Sequence, residues 1–419
     1  MEIPKGYKQS KVGIIPEDWQ TRNISSCCTI KARIGWQGLT KSEYLDNGDY
    51  LLITATDFEN GFINWASCFY VSEERYLQDT NIQIQPGDVL ISKDGTIGKV
   101  AFLPTIPKPG TLNSGVFVVR PKNGFKIDRT FLSLIFKSVW FKEFIDQLTA
   151  GSTIVHLYQK DFVKFNLVFP ESFDEQKRIA DALSDVDELI AALNQQIEKK
   201  RQIKEGAMQQ LLTGKTRLPG FNEPWDYDVL GNNSNIFRGG SPRPIENYLT
   251  TSPDGVHWVK IGDVSTNAKY IETTQEKIIS EGVKYSREVY AGDFLLSNSM
   301  SFGRPYILKI NGCIHDGWLV IQDYQETFNI DFLYYILGSS QVNQQYKSMA
   351  AGSSVLNLNK DIVHRVVIPI PTIAEQIAIA QILSDMDEEI RQLEAERDKY
   401  MLVKQGMMQE LLTGKTRLN

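Results

Sequence analysis

The side chains in this sequence best suited to chemistry are polar and basic residues set in glycine-punctuated turns. The chemistry they suit is recognition of a polyanion with hydrogen-bonding edges. Lys93 and Lys99 flank SKDGTIGK at 92–99, directly after the apolar run GDVLIS at 87–92. Ser152, Thr153, Tyr158 and Lys160 lie in AGSTIVHLYQK at 150–160. In the second half, Arg238 and Arg243 bracket RGGSPR, and Asn298 and Arg304 stand in SNSMSFGR at 297–304. Ser353, Asn357 and Lys360 follow in AGSSVLNLNK at 351–360. Arg33 opens the turn RIGW at 33–36 in the first half, which departs from the glycine/proline pattern at 239–242. Arginine and lysine suit guanine, asparagine suits adenine, and hydroxyls and backbone amides suit phosphates.

Catalytic candidates are thin. LLTGKT, at 211–216 and 411–416, invites a phosphate-loop reading, but Gln209 and Gln409 stand where that pattern needs its first glycine. It also follows a helical pattern instead of a strand. Gly214 and Gly414 read better as glycines just past a helix end, with Lys215, Arg217, Lys415 and Arg417 complementing the negative helix terminus. His156, His257, His315 and His364 form no metal-spaced pair, and Cys27, Cys28, Cys68 and Cys313 form no C-x-x-C, so neither a metal site nor a disulfide framework is expected. No adenine-methylation motif of the NPPY/F type and no glycine-rich cofactor loop after a strand appears. The chain is therefore expected not to be an enzyme by itself. The run Lys199-Lys200-Arg201 reads as a solvated helix face.

The elements that must carry these turns are repeated. Residues 175–218 return at 375–418 with a constant offset, and LLTGKTRL is identical in both copies. Ile179, Leu183, Val186, Ile190, Leu193 and Ile197 step by four and three residues, as do Ile379, Leu383, Met386, Ile390 and Leu393. That spacing is a coiled-coil seam. Ser172 with Glu175, and Thr372 with Glu375, spell capping boxes at both starts. Two helices of about 40 residues, or ~60 Å each, are expected to pack against each other.

The intervening segments repeat more faintly: GDVLIS at 87–92 becomes GDFLLS at 292–297, and SGVFVV at 114–119 becomes DGWLVI at 316–321. Apolar runs at 51–53, 100–103, 115–119 and 165–169 read as strands, and 131–148 has helical spacing. IIPEDW, ending at Trp19, matches LPGFNEPW, ending at Trp225, so the two halves read as a circular repeat. The expected domains are 1–170, 171–218, 219–370 and 371–419. The expected fold is α+β: two similar mixed α/β domains separated by two long helices packed as an antiparallel coiled coil, with circular pseudo-two-fold symmetry.

A chain of 419 residues with 42% hydrophobic and 23% charged residues suits two to four soluble domains. No apolar run reaches the ~18 residues of a membrane span. The opening MEIPKGYKQSKVG has no secretory h-region, so a cytoplasmic location with reduced thiols is expected. The net charge of −6 does not advertise nucleic-acid binding. Residues 1–170 carry 19 basic and 17 acidic groups, whereas 219–370 carry 12 and 16. A DNA-binding role would require the cations to gather on one face, or a partner to neutralise part of the phosphate charge.

With these residues in view, the chain resembles the specificity (S) subunits of type I restriction–modification systems over essentially its full length. EQKRIADALSDVDELI, QQLLTGKTRL, IPEDW, RGGSPRP, GDVLISKDGTIGK and AGST…KDF carry the resemblance through their order and duplication. It implies two target-recognition domains, each reading one half of a split double-stranded DNA site. It implies two methylation subunits docked on the helices, and restriction subunits in the full complex. S-adenosylmethionine and ATP with magnesium would belong to those partners, with no cofactor in this chain. A coiled-coil scaffold with two divergent ligand-binding heads is the alternative reading.

Overall fold

The computed structural model describes residues 3–150, 156–265, 268–298, 302–350 and 358–418, apart from the Trp36 side chain. The chain divides into two compact units. One comprises residues 1–193 with 396–419, and the other residues 194–395. The division falls inside both long helices, Phe173–Leu211 and Ile373–Leu411, each 39 residues long. Each unit thus holds one globular domain, the first half of one helix and the second half of the other.

In the first unit a four-stranded sheet runs Val100–Leu103, Asp88–Ser92, Val116–Pro121, Cys28–Lys31, with every pair antiparallel. The second unit repeats this order as Pro305–Leu308, Phe294–Ser297, Trp318–Gln322, Asn235–Arg238, and adds Tyr270–Ile271 at one edge. A parallel pair recurs as well: Gly110–Leu112 beside Tyr50–Ile53, and Gly312–Ile314 beside Val256–Val259. Strands such as Asp88–Ser92 are buried on both faces, which suits their unbroken apolar pattern. The 131–148 segment is two helices, Arg129–Ile135 and Val139–Thr149, because the chain turns at 136–138.

The long helices begin as part of the domain cores. Ile179, Ala180 and Leu183 pack with Phe131, Phe165 and Leu167, and with Leu411 and Leu412 from the end of the other helix. Ile379, Ala380 and Leu383 do the same with Phe332, Val366, Ile368, Leu211 and Leu212. Leu193, Ile197 and Ile390 are also buried, whereas Val186, Ile190, Met386 and Leu393 are only half-buried. The seam residues nearest each helix start therefore serve the globular core as well as the opposite helix.

Two expectations about the helix ends are corrected. Ser172 and Thr372 do cap, accepting from the amides of Glu175 and Glu375 at 3.3 and 3.4 Å. The glutamates, however, do not close a box. Glu175 receives Arg417 at 2.6 and 2.8 Å, and Glu375 receives Arg217 at 2.7 and 2.8 Å. The arginines past each helix end thus clasp the first turn of the other helix instead of their own terminus. A buried carboxylate needs a charged partner more than a cap amide needs a second acceptor. Gly214 and Gly414 turn the chain there, at φ +68° and +73°.

Candidate nucleic-acid interface

In the first unit the turn after Asp88–Ser92 is shaped by a buried serine. Ser92 Oγ donates to the Thr96 carbonyl at 2.6 Å and accepts the Lys99 amide at 2.9 Å. Gly95 and Gly98, at φ +69° and +76°, make the reversal. The amide of Leu157 donates to the carbonyl of Lys93 at 2.8 Å, which lays the 156–160 segment along this turn. His156 pairs with Asp94 and packs against Tyr158 with the rings tilted, 4.4 Å between centroids. The Lys160 ammonium lies 5.4 Å from the same exposed Tyr158 ring, and that of Lys93 lies 5.2 Å from the Phe117 ring. Lys93, Tyr158 and Lys160 are thereby brought together, with exposed Lys99 closing the turn.

The second unit uses the same link. Leu358 N donates to Asn298 O at 2.8 Å, drawing the segment that leads to exposed Lys360 against the turn after Phe294–Ser297. Arg238 and Arg243 are exposed on the neighbouring RGGSPR turn. Gly239 and Gly240 let that turn lie against the end of Gly312–Ile314: a Cβ at Gly239 would stand 2.1 Å from the His315 carbonyl oxygen. Asn298 is buried and donates from Nδ2 to the Asp316 carbonyl at 3.2 Å, so its side chain builds the turn and is not offered to solvent. Arg304 goes elsewhere. It lines a 360 Å3 cavity with Lys204, Tyr334 and Tyr335.

Arg33 requires a correction. It is 2% exposed, and its guanidinium donates to the Leu112 carbonyl, Thr111 Oγ1 and Gln78 Oε1 at 2.8, 3.1 and 3.2 Å. Burial lowers its pKa, and every nitrogen is engaged inside the domain, so it has no means of meeting a nucleic acid. Ser152, Thr153, Ser353 and Asn357 lie outside the described residues.

The family model described as the type I restriction modification DNA specificity domain matches residues 16–200 and again 223–399. The chain belongs to this family. Its two matches coincide with the two globular domains and most of the helix that follows each. The chain is 26% identical over 435 residues to the putative type I restriction enzyme MjaX specificity subunit of Methanocaldococcus jannaschii, covering 99% of this chain and 97% of that one. It is also 26% identical over 427 residues to the MjaVIII specificity subunit of the same organism, with 96% and 94% coverage. The fold is similar to a crystallised S subunit from M. genitalium, with TM-score 0.57, 17% identity and 98% of both chains covered. A structure described as underlying assembly and conformational transition of a type I system gives TM-score 0.62 at 17% identity, over 96% and 99% of the two chains. Among the described residues no helix is long and apolar enough to cross a membrane.

Several residues of this family member carry roles that reading the sequence alone missed. Gln176 and Gln376 are fully buried at equivalent places. Gln176 accepts from Asp128 N and donates to the carbonyls of Lys126 and Pro170; Gln376 accepts from Asn329 N and donates to those of Thr327 and Pro371. They staple each helix start to its domain. The repeated Glu-Gln pair was the available signal. Lys404 pairs with Asp187 in the first unit, and Lys204 with Asp387 at 2.5 Å in the second. The run at 199–201 also forms ion pairs, Lys200 with Glu389 and Arg201 with Glu394, both at 2.5 Å.

Proposed function

We propose that the chain is the non-catalytic sequence-reading subunit of a type I restriction–modification complex. Each globular domain reads one half of a split double-stranded DNA site. The observation that carries this reading is the recurrence in both units of a polar turn tied by the same backbone bond to a later segment that presents a lysine, Leu157 to Lys93 ahead of Lys160 and Leu358 to Asn298 ahead of Lys360. The side chains around the two turns differ, as two different half-sites require. The long helices act as an antiparallel spacer and dock two methylation subunits. Exposed Met401, Leu402 and Val403 on the second helix support that role, since such apolar residues in a row mark contact surfaces. Methyl transfer from S-adenosylmethionine and ATP-driven restriction belong to the partner subunits. Lys93, Lys99, Tyr158, Lys160, Arg238, Arg243 and Lys360 are the proposed DNA contacts.

The spacer reading is tested by lengthening the helices. Both helices contribute to both units, so a heptad added to one alone would pull either Lys204 from Asp387 or Lys404 from Asp187 out of register. Matched heptads between residues 193 and 194 and between 395 and 396 add ~10 Å of helix, about 3 bp of duplex rise. Mapping methylated adenines in cells expressing the variant with its partners should give the same half-sites with a longer unread gap. An unchanged gap in an assembled variant would refute the helices as the ruler.

A further inference from the structure

Asp316 sits between the strands Gly312–Ile314 and Trp318–Gln322, at the meeting point of the second domain's proposed contacts. Its carbonyl accepts from Arg238 Nε at 3.1 Å and from Asn298 Nδ2 at 3.2 Å. Its carboxylate accepts from Ser241 Oγ at 3.1 Å and lies 3.6 Å from an Arg243 terminal nitrogen. His315 Nδ1 accepts the Gly317 amide at 2.9 Å, which leaves the ring proton of the neutral imidazole on Nε2, 3.0 Å from the same carboxylate. Gly239 N to Trp318 O at 2.9 Å and Gly240 N to Ile314 O at 3.1 Å fix the arginine-bearing turn over this point. One residue thus anchors two arginines, a serine, a histidine and the asparagine of the neighbouring turn.

We propose that Asp316 is the positioning residue of the second recognition site: its backbone carbonyl seats Arg238, and its carboxylate aims the guanidinium of Arg243 at a guanine edge in the half-site that domain reads. The proposal rests on the DNA-reading role given above. Arg238 is held through Nε, so its two terminal nitrogens remain for the paired contact to guanine O6 and N7. Arg243 is 83% exposed and its contact to Asp316 is long, which orients the fork without sequestering it. A carboxylate in this place also repels phosphate. It therefore lowers affinity for DNA in general while raising the preference for the right bases.

The test uses the chain assembled with its methylation subunits. The probes are duplexes carrying the site mapped from methylated adenines, each single-position variant of the second half-site, and a duplex lacking the site, all at one salt concentration. Asp316→Asn keeps size and removes charge. It should lower discrimination at one base-pair position about tenfold while binding to the site-free duplex holds or rises. Arg243→Ala should relax the same position, and the double variant should relax it no further. Ser241→Ala, with no change of charge, should give a smaller loss at that position. Parallel loss on all duplexes with a lower melting temperature would make Asp316 merely structural and overturn the proposal. An unchanged ratio between site and site-free duplexes would make it a bystander, with the same result. A wild-type complex that discriminates no site would instead sink the DNA-reading role itself.

Discussion

Replacing Arg417 with alanine strips the partner from a carboxylate that has almost no access to water. The Glu175 side chain is 2% exposed and that of Arg417 is 22% exposed. Two of the arginine's nitrogens meet both Glu175 oxygens, and its terminal nitrogens also reach Asp18 at 2.8 and 2.7 Å. Removing one partner of a buried pair costs about 3–5 kcal/mol. Arg417 keeps an edge in solvent, so the lower end applies, about 3 kcal/mol. For a unit of this size that is a fall of about 6–12 °C in melting temperature. Asp18 is the internal control. It is 60% exposed, so Asp18→Asn should cost less than about 1 kcal/mol although it touches the same arginine. Denaturant unfolding followed by tryptophan fluorescence suits the measurement, because Trp19 lies 6.0 Å beneath the guanidinium. A cycle with Glu175→Gln should return a coupling of about 2 kcal/mol or more. If Arg417→Ala costs no more than Asp18→Asn, the clasp does not hold the end of the second helix to the first.

Gln176→Leu leaves an amide and two carbonyls in the core without their partner and should destabilise the first unit by about 3 kcal/mol, read by denaturant midpoint. Lys137 gives a pH signature. Burial, and secondarily the charge of Lys404, pull its folded pKa below the unfolded 10.5, against the opposing effect of Asp187. The unfolded chain therefore binds more protons between those two values, and stability should rise with pH through that window. Lys137→Met should be more stable than the parent at neutral pH and show a flatter profile up to about pH 10; an unchanged profile would assign the rise to other groups.

The repeat, the two long helices and the strand framework were legible because they follow from periodicity. A seam of apolar residues and a duplicated GDxLxS each point to one kind of element. The turns were legible as places, since glycine and small polar residues mark them. Which side chain faces outward was not. Lys31 pairs with Val118 as Phe237 pairs with Val320, so Ala32 is the counterpart of Arg238 and Arg33 falls one place further on, where the second unit has Gly239. That one-residue offset draws Arg33 inside onto Thr111, while the close approach allowed by Gly239 and Gly240 leaves Arg238 outside. Arg304 was displaced from the expected cluster for a related reason: it faces the first long helix, a neighbour more than 90 residues away in sequence. The capping-box glutamates were misassigned because the competing arginine comes from a distant helix end, and local pattern carries no record of it. Asp316 gave no signal at all, since an isolated carboxylate in a loop is common and its five contacts exist only after folding.

The partition of the helices between units also bears on the order in which the protein can be completed during synthesis. The second unit, 194–395, is one uninterrupted stretch, whereas the first needs residues beyond 395. A growing polypeptide therefore possesses every part of the second unit before the first can be finished. In that interval Glu175 has no Arg417, and the pocket that takes Leu411 and Leu412 is open. The domain made earliest is the one sealed last, so a nascent-chain chaperone would find its exposed apolar surface on the N-terminal half even after the following half has folded.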